Sequence, residues 1–159
     1  MKVIDNFLSP DKFKLVSDYM MGPYCTWSYN PFVDYQHSIF STFDLDDYQF
    51  IHNFSIEDSI LFPLVEKLNI KDIVRIKANL NPRTSEIVER KFHTDVEDKC
   101  KTAVFYINTN NGWTEFEDGS KVESVANRVV IFDSHTKHKG TTCSDQKTRV
   151  VINFNYYEG

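Results

Sequence analysis

From residue 72 onward apolar side chains recur at every second position, and this period commits the C-terminal half of the chain to strands. In Val74-Arg75-Ile76-Lys77-Ala78-Asn79-Leu80, one face is apolar and the other carries Arg75, Lys77 and Asn79. The last segment divides the same way: Arg149, Val151, Asn153 and Asn155 share one face, and Val150, Ile152, Phe154 and Tyr156 the other. In residues 102–108, Thr102, Val104, Tyr106 and Asn108 oppose Ala103, Phe105 and Ile107. An ordinary sandwich turns its apolar faces toward each other. Three strands that each pair an apolar face with one bearing polar, ligand-capable groups point instead to a barrel with a polar pocket inside. Its apolar outside then needs a cover of helices.

That cover comes first in the chain. Ser9-Pro10-Asp11 reads as a helix start, with Ser as N-cap, Pro in the first turn and Asp at the positive dipole end. Phe13, Val16, Tyr19 and Met20 follow at helical spacing, and Gly22-Pro23 ends the run. Ser55-Ile56-Glu57-Asp58 has the form of a capping box ahead of Ile60, Leu61, Leu64, Val65 and Leu68. Pro63 inside that run demands a kink or a late start. Strands are expected over 3–8, 27–29, 38–43, 92–96, 102–108, 122–125, 128–132 and 149–157. Turn signals stand at 81–85, 110–112 and 118–119. Helices followed by a run of strands give an α+β, mainly β chain built on a jelly-roll barrel. A length of 159 residues suits one domain, with a helical and mixed part over 1–70 and a barrel core over 71–159.

Charge and cysteine content narrow the function classes. A net charge of −5 argues against broad binding to a phosphate backbone, so a nucleic-acid partner is not expected. Arg83, Arg90, Lys91, Lys99 and Lys101 read as solvated loop charges. Cys25, Cys100 and Cys143 form no Cys-x-x-Cys pair, which disfavours a disulfide framework and a thiolate zinc site. The N-terminus lacks the apolar run of a signal peptide, and no stretch nears the ~20 apolar residues of a membrane span. The expectation is a soluble, cytoplasmic protein with no membrane partner.

His93-Thr94-Asp95 puts an imidazole and a carboxylate two residues apart. On a strand both would point the same way and reach one ion. A second histidine from a distant strand would complete a two-His, one-carboxylate face. That donor set suits Fe(II) and leaves open coordination positions. His135 and His138 both stand just past the strand ending at Phe132, and either fits this role. Arg149 opens the final strand. A guanidinium aimed into a pocket is costly unless an anion meets it, and a dicarboxylate co-substrate supplies one.

The ordered set His93-x-Asp95, Gly112-Trp113-Thr114-Glu115-Phe116, Phe132-Asp133-Ser134-His135-Thr136-Lys137-His138 and Arg149 resembles the 2-oxoglutarate/Fe(II)-dependent oxygenase superfamily. The opening Val3-Ile4-Asp5-Asn6-Phe7-Leu8-Ser9 and the Val151-Ile152-Asn153-Phe154-Asn155-Tyr156 ending are similar to small prolyl 4-hydroxylase-like members from marine bacteria and their phages. The resemblance spans nearly the whole chain. It implies a double-stranded β-helix (cupin-like) with the N-terminal helices on its outer face, in a bacterial or phage-infected cytoplasm. It selects His138 over His135, so that His93, Asp95 and His138 would be the metal ligands and the catalytic centre. Arg149 would hold 2-oxoglutarate. Asn79 resembles an asparagine that contacts the co-substrate in a demethylase branch, and Tyr106 faces inward as a possible hydroxyl donor. Position 81, often Tyr in relatives, is Asn here, and Asn127 replaces a common Gly at a turn.

The implied cofactors are Fe(II), 2-oxoglutarate and molecular oxygen. The implied reaction is decarboxylation of 2-oxoglutarate to succinate coupled to C–H hydroxylation, with a prolyl or other peptidyl residue as the first substrate class. Hydroxylation of a free amino acid or small metabolite, or a non-catalytic metal-binding jelly roll, are the alternatives.

Overall fold

The computed structural model describes residues 1–33 and 45–159. The chain opens with β1 (Lys2–Ile4), helix α1 (Pro10–Met21) and β2 (Ser28–Asn30). It continues through β3 (Gln49–Asn53), a 3-10 turn (Ser59–Leu61), α2 (Phe62–Lys67) and the long β4 (Ile70–Pro82). Then come β5 (Lys101–Tyr106), β6 (Trp113–Phe116), β7 (Lys121–Glu123), β8 (Arg128–Asp133), β9 (His138–Gly140) and β10 (Thr148–Glu158). The larger sheet has the order β1-β8-β5-β10-β4-β3-β2, and the smaller has the order β7-β6-β9. All pairings are antiparallel. The central neighbours of the larger sheet, β8-β5-β10-β4, and the β6-β9 pair are non-consecutive in sequence, as in a jelly roll, and the fold is a double-stranded β-helix.

Strand alternation distributes the core. Ile76, Ala78, Ala103, Phe105, Val150, Ile152, Phe154 and Tyr156 face outward, where Val16, Met20, Leu61, Leu64 and Leu68 of the helical segments cover them. On the inner side Val104, Tyr106, Val130, Phe132 and Val151 meet Phe116 and Val122 of the smaller sheet. The interior is therefore divided, with an apolar plug at one end and a polar cavity at the other.

Several local expectations shift. The first strand ends at Ile4, because Asn6 takes a left-handed φ of 50° that no ladder accommodates. The capping box is absent as a helix cap: Asp58 Oδ2 accepts from Ser55 N at 2.7 Å within a turn. The helix starts late, with Pro63 in the first turn of α2, where it breaks no bond. Asn81-Pro82, expected as turn, is the end of β4, paired with Arg149 and Thr148. A proline at a strand terminus costs little. The 92–96 strand reduces to one bridge, His93 to His138, since β9 is only 3 residues long. Between the turn signals at 110–112 and 118–119 lies β6, not expected as a strand, which pairs with both β7 and β9. The strand expected over 38–43 lies outside the described residues.

Asn127 takes a φ of 63°, so it occupies a backbone position that favours glycine. Its side chain uses that turn: Oδ1 accepts from Leu8 N at 2.8 Å and Nδ2 donates to Leu8 O at 2.9 Å. The N-terminal segment is thus tied to the start of β8 at the edge of the larger sheet.

Candidate metal centre and anion pocket

The polar end of the barrel is a cavity of about 550 Å³. Its walls come from the inward faces of β4 and β10, from β9, and from the segment 90–95. His93 and His138 face each other across a two-hydrogen-bond bridge: His93 N donates to His138 O at 3.0 Å and His138 N to His93 O at 3.0 Å. The imidazole centroids lie 4.9 Å apart. Each ring is oriented by a carbonyl two residues earlier, His93 Nδ1 on Lys91 O at 2.9 Å and His138 Nδ1 on Thr136 O at 3.1 Å. A carbonyl only accepts, so the neutral rings carry their proton on Nδ1 and present bare Nε2 atoms.

Asp95 completes the cluster. Its Oδ1 lies 3.6 Å from His93 Nε2, and its Oδ2 lies 3.8 Å from His138 Nε2. The ligand atoms of His93, Asp95 and His138 all fall within 4.8 Å of one another. Burial alone would raise the Asp95 pKa, but His93, His138 and Arg75 outweigh it and hold the carboxyl well below the usual range. His93 is also pushed down by burial, yet its contacts with Asp95 and Lys91 O leave it raised. Burial pushes His138 down. Oδ2 of Asp95 is buried without a hydrogen-bond partner. Two imidazoles with Nε2 turned toward an ionised, unsatisfied carboxylate are a donor set for a divalent transition metal. His135 lies apart from the cluster, with Nε2 on Glu97 O at 2.9 Å.

Arg149 lines the same cavity at 2% exposure. Its Nε donates to Ser124 Oγ at 2.8 Å and Nη2 to Thr114 Oγ1 at 3.2 Å. The Tyr106 ring lies beneath it, 5.7 Å from the guanidinium carbon. The Tyr106 hydroxyl donates to Thr114 Oγ1 at 2.8 Å. Burial pushes the Arg149 pKa down, and the groups that oppose this are Tyr106 and Cys143, not a carboxylate. Among the described residues no carboxylate lies within ion-pair distance of Arg149. Two glycines make room for it. A Cβ at Gly112 would meet Arg149 Cδ at 2.7 Å and Thr142 O at 2.6 Å, and one at Gly140 would touch Nη1 at 3.4 Å.

The other expected site residues divide. Asn79 lines the cavity, and its Oδ1 is buried without a partner. Tyr106 stands behind Arg149, outside the cavity lining. Arg90, read as a solvated loop charge, is 8% exposed in its side chain and bonds to Asp46 O, Tyr48 O and Asn81 Oδ1. It is inside because the carbonyls of Asp46 and Tyr48, with the Asp47 carboxylate at 3.8 Å, satisfy its guanidinium there. Sequence reading missed Arg75 and Ser124 as site residues. Arg75 Nη2 lies 3.2 Å from Asp95 Oδ1. The alternation in β4 already put Arg75 on the polar face, whereas no local signal marked Ser124.

No protein-family profile matches the chain, and no curated protein matches it. Solved structures do. A Pseudomonas putida prolyl-4-hydroxylase is 16% identical with a TM-score of 0.63, covering 99% of this chain and 92% of that one. A Trichoplax adhaerens prolyl hydroxylase, solved with a hypoxia inducible factor peptide fragment, is 15% identical with a TM-score of 0.67, covering 99% and 83%. The viral collagen prolyl hydroxylase of Paramecium Bursaria Chlorella virus-1, solved with 2-oxoglutarate, is 13% identical with a TM-score of 0.65, covering 97% and 93%. At these identities the likeness shows the shared double-stranded β-helix. Among the described residues no helix is long and apolar enough to cross a membrane.

Proposed function

We propose that the chain is a non-haem Fe(II) oxygenase that couples decarboxylation of 2-oxoglutarate to succinate with hydroxylation of a substrate C–H bond. One observation carries this reading. The His93, Asp95 and His138 ligand atoms, within 4.8 Å of one another, share a cavity with Arg149, a buried cation that has no carboxylate partner among the described residues. A keto-diacid satisfies both ends: its 2-oxo acid end suits the metal, and its far carboxylate suits the guanidinium. The orphaned Oδ2 of Asp95 and the bare Nε2 atoms fit Fe(II), so His93, Asp95 and His138 would hold it.

When bound, iron and 2-oxoglutarate supply the oxygen activation and the oxidising power. The chain's own residues bind, orient and shield. Lys91 O and Thr136 O lock the tautomers of the two histidines. Ser124, Thr114 and the Tyr106 ring hold Arg149 in one pose before any ligand arrives, so little side-chain entropy is lost on binding. Asn79 offers its amide to the co-substrate. Tyr106 contributes through Thr114 rather than by direct contact. Val104 and Val151 line the cavity and limit water near the reacting centre.

A peptidyl substrate, prolyl foremost, is supported by the peptide seen with the similar Trichoplax protein. A small-molecule substrate is supported by the cationic lining of this cavity. Nucleic acid remains unexpected for a chain of net charge −5. A non-catalytic jelly roll would leave the burial of Arg149 without compensation. The test is anaerobic mixing with Fe(II) and 2-oxoglutarate. A weak visible charge-transfer band should appear only when both are present, and a colourless mixture would refute the oxygenase reading.

A further inference from the structure

Among the described residues of the cavity lining, one cation stands without a counter-ion or hydrogen bond. Lys77 projects from the cavity face of β4, half-buried. It makes no hydrogen bond or ion pair among the described residues. The other cationic side chains of the lining are engaged or assigned. Arg75 stands against Asp95 at 3.2 Å, and Lys137 against Glu117 at 3.4 Å. Arg90 has the Asp47 carboxylate at 3.8 Å and bonds to Tyr48 O, and Arg149 is the anchor for 2-oxoglutarate. Among the described residues Asp95 is the single carboxylate of the lining. In the loaded cavity the dication and the dianion cancel, and Asp95 cancels Arg75. Arg149 and Lys77 then remain in excess.

The surroundings of Lys77 are also unsatisfied. Its direct cross-strand neighbour is Asn153. Asn153 Oδ1 is buried without a partner, as is Oδ1 of Asn79, two residues along β4. An amide Oδ1 accepts and suits the ammonium of a free amino acid, while the amide Nδ2 donates and suits its carboxylate. Arg149 and Asn153 are four residues apart on β10, so Lys77 lies roughly 13 Å along the sheet from the Arg149 row at about 3.3 Å per residue. A five-carbon diacid spans roughly 5 Å between its end carbons, from bonds of about 1.5 Å. Lys77 is thus at the other end of the cavity from the co-substrate anchor. Burial and then Arg75 push its pKa down, with Asp95 opposing, as for an ammonium partly withdrawn from water with no counter-ion in contact.

We infer that the primary substrate carries a free carboxylate that docks on Lys77, with the Asn153 amide beside it. The substrate class is then a small carboxylic acid, with a free amino acid as the simplest member, rather than a neutral prolyl peptide. What is done to that substrate rests on the oxygenase reading; the anion site does not.

The first arm uses protein labelled with 13C at lysine Cε, loaded with Zn(II) and 2-oxoglutarate, with the Lys77 signal assigned by its loss in Lys77→Met. Acetate should shift that signal saturably and acetamide should not. The second arm measures succinate formation with free L-amino acids, their carboxamides, a neutral prolyl peptide and a peptide bearing one internal acidic residue. Free acids should outperform their amides about ten-fold or more, the worth of one charge-assisted hydrogen bond. Lys77→Met should erase that preference and Lys77→Arg should restore it, with 2-oxoglutarate affinity unchanged. Stimulation by the acidic peptide but not by free acids would keep the carboxylate and overturn the small-acid class. An acetate-insensitive Lys77, a neutral peptide that turns over best, or loss of 2-oxoglutarate affinity in Lys77→Met would each overturn the inference. If the wild type fails to load 2-oxoglutarate, the oxygenase reading fails instead, and the acetate titration of the unloaded protein still decides the anion site.

Discussion

Arg149→Met separates the cost of the buried guanidinium from its use. Methionine keeps the length and apolar character of the side chain and removes the charge. Two hydrogen bonds are lost, to Ser124 and Thr114. At about 1 kcal/mol net each, they account for roughly 2 kcal/mol of stability. Against this, replacing a buried, uncompensated charge by an apolar group is commonly neutral or stabilising by roughly 1–4 kcal/mol. The unliganded variant should therefore lie within about 2 kcal/mol of the wild type. Binding should respond far more. Removing one partner of a buried charge pair costs roughly 2–5 kcal/mol, a loss of about 30-fold to several thousand-fold in affinity. At 100 times its Kd, 2-oxoglutarate should stabilise the metal-loaded wild type by about 2.7 kcal/mol. For a chain of this size that is a rise in Tm of roughly 5–10 °C. Thermal melts with Mn(II), with and without 2-oxoglutarate, read both quantities, and calorimetry gives the affinity. The variant should lose the ligand-induced rise and keep its metal affinity. A preserved rise, or an unliganded variant destabilised by more than about 4 kcal/mol, would show that Arg149 is a structural residue.

His138→Ala should abolish Fe(II) binding measured by anaerobic titration, whereas His135→Ala, which removes a ring bonded to Glu97 O, should leave it intact. Arg75→Ala should weaken metal binding by roughly 10–100-fold, the usual effect of losing the group that orients a ligand, because Asp95 loses its contact at 3.2 Å. Gly112→Ala should cost about 1–3 kcal/mol in urea unfolding or weaken 2-oxoglutarate binding, since its Cβ would lie 2.7 Å from Arg149 Cδ; unchanged values of both would mean the backbone yields freely. Asn127→Ala should destabilise by about 2 kcal/mol, losing both bonds to Leu8 and the residue suited to a φ of 63°, and Asn127→Gly should recover part of that.

In the larger sheet β4, β5 and β10 were legible because each sets an apolar face against a polar one, whereas β3, with burial that does not alternate, was not expected as a strand. Period-2 alternation sorted Arg149, Val151 and Asn153 from Val150, Ile152 and Phe154, and the structure divides them between the cavity and the outer core in the same way. The smaller sheet was less legible. β6 and β9 are only 4 and 3 residues long, too short for a period to register. The pairing of His93 with His138 joins positions 45 apart through a single bridge, which no local pattern encodes. Arg90 was misread for a related reason: its burial depends on carbonyls at 46 and 48, which a one-dimensional reading cannot bring near it.

The expected reason for His93 and Asp95 to converge was strand alternation, yet no strand runs through 92–96. Something else must hold Asp95, and the structure supplies it from the larger sheet. Asn155 Nδ2 donates to Thr102 Oγ1 at 3.0 Å, Arg75 Nε donates to Asn155 Oδ1 at 3.2 Å, and Arg75 Nη2 reaches Asp95 Oδ1 at 3.2 Å. Thr102, Asn155 and Arg75 are direct cross-strand neighbours on β5, β10 and β4. A row of polar side chains across three paired strands thus ends on the loop-borne carboxylate. Its rigidity is that of three paired strands, so the 94–99 segment can be irregular without the carboxylate wandering. One oxygen of Asp95 is directed at that row and the other, without a hydrogen-bond partner, lies toward His138. The polar face that marked a barrel interior in the sequence therefore also places the third member of the His93–Asp95–His138 cluster.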